Sequence, residues 1–205
     1  MKRPRSTLAT RAARREKRAE IEDPEVVMGA AAAFLAVRQR SVEETRRRLR
    51  HLGYRHGLVD QVIERLLGMR YLDDDAFSRA WVESRDRAKP RGENALRREL
   101  ALKGVAREQM DVVLVDRAAN ASEDGADRVA AMRLLERRRA AVERERDPRK
   151  RRQKAYALLA RNGFDPETCR EVASVVSSWD PADASNEPEA TNEPDASGEP
   201  DASGD

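Results

Sequence analysis

Leu49-Arg50-His51-Leu52-Gly53-Tyr54, Leu100-Ala101-Leu102-Lys103-Gly104-Val105 and Leu159-Ala160-Arg161-Asn162-Gly163-Phe164 are three copies of one pattern. Each has a leucine, three residues, a glycine and an apolar residue. Six, nine and ten residues past the glycines come Val59/Val62/Ile63, Met110/Val113/Leu114 and Cys169/Val172/Ala173. The glycines stand 51 and 59 residues apart, a period that implies stacked helical units. A chain of that design suits gripping an extended partner better than surrounding a small substrate.

Composition agrees. Apolar residues make up 39% of the 205 and charged residues another 39%, too little apolar material for one thick core. Ala, Leu, Arg and Glu dominate, all good helix formers, and β-branched runs are nearly absent. The expected fold is all-α. No stretch approaches the ~18 apolar residues of a membrane span, and the basic N-terminus lacks the apolar core of a secretory signal. A lone cysteine, Cys169, fits a reducing cytoplasm.

The net charge of +3 hides a polarity. From Asp180 onward there are nine acidic residues and no Lys or Arg, so residues 1–179 carry 41 basic against 29 acidic groups, a net of +12. The tail repeats itself over 186–191, 192–197 and 198–203 and reads as disordered. The expected organisation is a disordered basic arm (1–24) with transient helix from Ala12 to Ile21, three-helix repeats over 25–70, 71–120 and 121–179, and the acidic tail (180–205).

Within this frame Asp23-Pro24 opens a helix to about Gln39. Ser41-Val-Glu-Glu44 is a capping box for a helix over Val42–Leu52, ended by Gly53 in the left-handed conformation. A third helix covers about Leu58–Met69. Asp73 or Asp74 caps a helix to about Arg87, followed by helices over Glu93–Lys103 and Arg107–Ala118. Val129, Met132 and Leu135 mark the next. Arg137–Asp147 either continues it or forms an exposed turn, ahead of helices over Pro148–Asn162 and Pro166–Ser178.

Catalytic chemistry is hard to find. His51 and His56 flank a helix-breaking glycine and read as surface or cap residues. Asp73-Asp74-Asp75 reads as first-turn capping rather than a Mg²⁺ site, since no phosphate-binding loop accompanies it. No nucleophile or nucleotide motif is present, so no cofactor or metal is expected. Phe34, Tyr54, Tyr71, Phe77, Trp81 and Phe164 read as core or cap residues rather than base-stacking platforms. The candidate partner-binding residues are basic: Arg46, Arg47 and Arg50 in the first repeat, Arg97, Arg98 and Lys103 in the second, Arg149, Lys150, Arg151 and Arg152 in the third. Arg46/Arg47 and Arg97/Arg98 occupy equivalent positions, where the third copy has Tyr156 and Ala157. They form either a docking stripe for acid or phosphate or a solvated outer face.

Tyr71-Leu72-Asp73-Asp74, Phe77, Ser84-Arg85, Gly92, Arg98-Glu99-Leu100 and Lys103-Gly104 together resemble the RecX family, bacterial regulators of the RecA recombinase. Ser41–Leu66 resembles its first repeat and Ala157–Val172 its last. The likeness spans roughly residues 26–178. Arg137–Asp147 looks like an insertion, and Ala88–Gly92 departs from the family's usual glycine-x-glycine-proline wording. The resemblance implies an elongated, curved array of three-helix repeats. It implies a monomeric, non-enzymatic cytoplasmic regulator that sits in the groove of the RecA–single-stranded DNA filament. There it would limit ATPase, strand exchange and the co-protease activity behind the SOS response. The alternative is direct nucleic-acid binding through basic helix faces. The acidic tail is expected to act as an electrostatic brake on the basic body.

Overall fold

A computed structural model of the chain describes residues 8–179, which are all-helical; the acidic tail lies outside the described residues. A basic helix α1 (Leu8–Ala19) precedes three repeats. The first comprises α2 (Pro24–Leu35), α3 (Val42–Leu52) and α4 (His56–Gly68). The second comprises α5 (Asp74–Ala88), α6 (Glu93–Leu102) and α7 (Arg107–Ala119). The third comprises α8 (Ala126–Arg137), a short α9 (Arg139–Glu143), α10 (Pro148–Arg161) and α11 (Pro166–Val175), with a 3-10 turn over Val176–Ser178.

The repeated leucine–glycine pattern is a helix stop in all three copies. Gly53, Gly104 and Gly163 have φ of 107°, 80° and 84°, a region that favours glycine. The next amide returns to the leucine carbonyl each time, Tyr54 to Leu49, Val105 to Leu100 and Phe164 to Leu159. The glycine amide bonds one residue further on, to Arg50, Ala101 and Ala160. This is the paired bonding of a Schellman stop, whose flanking apolar residues close over it. The leucines, the residues after the glycines and the nine apolar positions downstream are all buried. They fall into three separate cores, one per repeat. Leu72 packs in the first of these, so the first repeat's core reaches into the Tyr71-Leu72 segment.

The repeats are joined through their second helices. Ser41, at the start of α3, donates its Oγ hydrogen to the Lys103 carbonyl at the end of α6, 2.6 Å away. Gly92, at the start of α6, donates its amide to the Asn162 carbonyl at the end of α10 at 3.0 Å. Helix C-termini thus meet helix N-termini, a favourable alignment of opposite partial charges. The next repeat's first helix completes each joint. Asp74 accepts the Val42 amide at 2.9 Å, and Asp127 accepts the Glu93 amide at 3.0 Å. A Cβ on Gly104 would lie 2.3 Å from Glu43 Cβ, and one on Gly163 would lie 2.4 Å from Ala95 Cβ. The glycines therefore serve twice, as helix stops and as contact points between repeats.

Three departures from the sequence reading concern where helices lie. The arm expected to be disordered is helical over Leu8–Ala19. The backbone of Arg15 lies against Gly53, where a Cβ would come within 2.8 Å of the Arg15 carbonyl oxygen. Arg18 donates to the Leu52 carbonyl and lies over the Tyr54 ring, and Arg55 donates to the Ala19 carbonyl. Main-chain contacts and cation–π attraction hold α1, so its low apolar content is no obstacle. Within the third repeat, Arg137–Asp147, expected to continue the preceding helix or form an exposed turn, contains the separate helix α9, with Val142 and Glu143 buried. α2 also stops at Leu35, short of Gln39.

Candidate functional site

The candidate basic residues separate into three groups once placed. The first group is committed to carboxylates. Arg46 bonds Glu43 at 2.9 Å and Asp60 at 3.2 Å, and Arg50 grips both oxygens of the same Asp60. Arg97 repeats the arrangement with Glu93 and Asp111. Asp60 and Asp111 both lie seven residues past their glycine, and Arg46 and Arg97 both lie seven before it. The pair ties helix two to helix three inside each of the first two repeats. In the third repeat those positions hold Tyr156 and Arg170, and the pair is gone.

Arg47 bonds Glu43 at 2.9 Å and reaches across the joint to the Leu102 carbonyl at 3.1 Å. Burial alone would raise the Glu43 carboxyl, but hydrogen bonds from Arg46 and Arg47 outweigh it and hold the group below its ordinary value. Lys103 is 15% exposed, pairs with Glu44 at 2.9 Å and lies 5.0 Å from the Trp81 ring centre. It belongs to the first joint rather than to an open surface. Glu44 shows the same balance as Glu43. Burial pushes it up, and bonds from Arg38 and Lys103 bring it below the ordinary range.

Arg151 forms the second group alone. It is 2% exposed, and its guanidinium donates to the carbonyls of Glu145, Trp179 and Arg146. It pins the end of the third repeat and is not available to a partner, which corrects its reading as a docking residue. The signal was there in the sequence: Arg151, Ala155 and Leu159 recur at the four-residue spacing of a buried helix stripe.

Arg98, Arg149, Lys150 and Arg152 make up the third group. All four are exposed, and among the described residues none makes an ion pair. They sit on α6 and on the first turns of α10.

The acidic and aromatic candidates also resolve. Asp73 caps its own helix through the amides of Asp75 and Ala76, as expected. Asp74 instead caps the neighbouring repeat's α3, and burial with repulsion from Asp73 and Asp75 raises its carboxyl despite the Val42 bond. Asp127, in the matching role, was not singled out from sequence. Its other oxygen meets Arg117, which also bonds Asp86, so one buried guanidinium braces the second joint. Around Trp81, Glu99 accepts from the indole Nε1 at 2.9 Å and from Arg85 at 2.7 Å. Tyr54, Phe77 and Phe164 are buried. Tyr71 is not: it is 70% exposed beside Arg70, which has φ of 58°. The left-handed turn at Arg70 swings Tyr71 outward while Leu72 enters the core. Leu67 and Met69 are exposed in the same segment. His51 and His56 are exposed, and no group of three metal-ligating side chains occurs among the described residues. No helix among these residues is long and apolar enough to cross a membrane.

Comparison with known proteins gives this architecture its relatives. The family model of the RecX second three-helix domain matches residues 73–114, and that of the third matches residues 127–173. The chain is 30% identical over 152 residues to a protein of Prosthecochloris aestuarii named "Regulatory protein RecX", covering 73% of this chain and 93% of that one. It is 32% identical over 142 residues to a Mycobacterium sp. (strain KMS) protein of the same name, covering 69% and 76%. The crystal structure of RecX from Lactobacillus salivarius superposes with a TM-score of 0.64 at 16% identity, over 76% of this chain and 97% of that one, which supports the fold. Three glycine-stopped repeats, the joints between them and these relatives lead to one assignment: the chain belongs to the RecX family of regulatory proteins.

Proposed function

We propose that this protein binds the RecA–single-stranded DNA filament and mainly inhibits its ATPase, strand-exchange and co-protease activities. It acts without catalysis, as a cytoplasmic monomer, in recombination, repair and the SOS response. The observation that carries this reading is the construction of the array. Three like-built units are joined end to end, and the second and third carry surface cations that make no ion pair among the described residues, Arg98 and Arg149, Lys150 and Arg152. A periodic array can meet a periodic polymer at several places at once, so modest contacts multiply through effective concentration. The ion-paired Arg46, Arg47, Arg50, Arg97 and Lys103 brace the array within and between its units. The unpaired cations supply its attraction for acidic protein or phosphate.

The test adds the protein to preformed RecA–single-stranded DNA filaments and follows ATP hydrolysis and co-sedimentation. Reduced hydrolysis with co-sedimentation is expected; unchanged hydrolysis with no co-sedimentation refutes the proposal. A second reading, direct nucleic-acid binding, draws on the unpaired cluster at the start of α10. It requires binding to naked single-stranded DNA that weakens steeply with salt and needs no recombinase.

A further inference from the structure

The third repeat differs from the other two by an inserted, cation-dense segment, and the acidic tail leaves the fold beside it. Residues 137–154 hold ten Lys and Arg against three acids. Those acids are occupied. Glu143 is buried against Arg139, Asp147 accepts the Arg149 amide, and Glu145 accepts the Asp147 amide. Arg138, Arg144, Arg146, Arg149, Lys150 and Arg152 are exposed, and among the described residues they make no ion pair. The chain's departure point is fixed on this cluster. Arg151 of α10 donates to the Trp179 carbonyl at 2.7 Å, and the Arg139 guanidinium lies 5.2 Å from the Trp179 ring centre. Asp180 follows immediately, and the 26 residues from there carry nine acids and no cation.

We infer that the acidic tail docks on the cationic edge formed by α9, the loop 144–147 and the first turns of α10. The tail is thereby a built-in competitor for this edge, rather than a diffuse counterweight to the whole basic body. Four observations select this occupant. The charges are complementary: six cations make no ion pair among the described residues, and the tail carries nine acids. The tether starts within the edge itself, so tail and edge meet at the high local concentration of an intramolecular pair. Reach is no obstacle, since 26 residues can extend up to ~85 Å. The groove between α5, α7 and α8 suits an acidic tail less well: Val82, Val113 and Val129 line it, and its Arg79, Arg87 and Arg117 are already paired with Asp116, Glu83 and Asp86. The inference does not depend on the filament reading, and its test uses no recombinase.

A nitroxide attached to Ser197→Cys in the full-length chain reports the tail's position, because Cys169 is buried and resists labelling. The expected result at low salt is loss of amide signals in 144–152. They should return at about 0.5 M salt, where screening acts within a few ångströms. They should also return in a chain carrying Arg144→Glu, Arg146→Glu, Arg149→Glu, Lys150→Glu and Arg152→Glu. Broadening spread evenly over α3 and α6, or unchanged by those reversals, overturns the inference. So does equal broadening of nitroxide-free ¹⁵N protein mixed with nitroxide-labelled protein that carries no ¹⁵N, since the occupant would then be a second copy's tail.

Discussion

Gly163→Ala and Gly125→Ala together isolate the energy of a joint. Both glycines have positive φ, 84° and 78°. Gly125 also has ψ of 146°, a backbone region nearly confined to glycine. An alanine is strained by roughly 1–2 kcal/mol in the left-handed helical region and by about 1–3 kcal/mol at Gly125. The surroundings differ. A Cβ at Gly125 meets nothing within 4 Å, whereas one at Gly163 would lie 2.5 Å from the Ala95 backbone nitrogen and 2.4 Å from its Cβ. Neither neighbour is the end of a flexible chain, so α6 and α10 must separate. Overpacking of this kind adds about 1–3 kcal/mol. Gly125→Ala should therefore lower stability by ~1–3 kcal/mol and Gly163→Ala by ~2–5 kcal/mol. For a chain of this size each kcal/mol moves the melting temperature by about 2–4 °C, so calorimetry resolves the difference. Hydrogen exchange locates it. The Gly92 amide, bonded to the Asn162 carbonyl across the joint, should exchange faster in Gly163→Ala and normally in Gly125→Ala. Equal melting shifts with an unaltered Gly92 amide would refute the claim that glycines form the contact between repeats.

Arg151→Ala should cost several kcal/mol, because three main-chain acceptors lose a charged donor, while Arg152→Ala should stay within about 0.5 kcal/mol; urea denaturation distinguishes them. Glu44 is held below its ordinary value, so its pairing stabilises the fold above about pH 4.5, and that contribution is lost as pH falls through the lowered value. The stability difference between wild type and Glu44→Gln should thus be largest near neutrality and shrink on acidification; a difference independent of pH would show that the charge is irrelevant. Reversing Arg98, Arg149, Lys150 and Arg152 to Glu should weaken filament co-sedimentation with melting unchanged, whereas Arg46→Glu with Arg97→Glu should lower the melting temperature first, since each loses its Asp60 or Asp111 partner.

How far the sequence could be read depended on the range of the forces involved. The helix stops at Gly53, Gly104 and Gly163 are local, spelled out within six residues, and α3 runs over the expected Val42–Leu52. The cores followed from helical spacing. The joints did not, because Asp74 and Asp127 act on amides 32 and 34 residues away, and nothing adjacent to either signals its target. The docking of α1 escaped for the same reason, being carried by main-chain contact with Gly53 rather than by an apolar stripe. The basic site was half legible. Equal spacing about the glycine located Arg46 and Arg97, and the same frame applied to acids would have found Asp60 and Asp111 and shown that those arginines are engaged. Tyr71 was misplaced as a core or cap residue because the left-handed turn at Arg70 leaves no sequence mark when the residue is not glycine.

The joints have a consequence for how such chains diverge. Their atoms are largely main chain: the carbonyls of Lys103 and Asn162, the amides of Val42, Gly92 and Glu93, and glycines whose lack of a side chain is the contact. A joint of this kind stores little of its geometry in residue identity. Outer faces can then drift while the glycines and one aspartate per joint keep the arrangement. A relative sharing 16% of its residues can keep the same architecture at a TM-score of 0.64. In α10 the equivalent position is Pro148, which has no amide hydrogen, so the donor that Asp74 and Asp127 satisfy in the joints of α3 and α6 does not exist there.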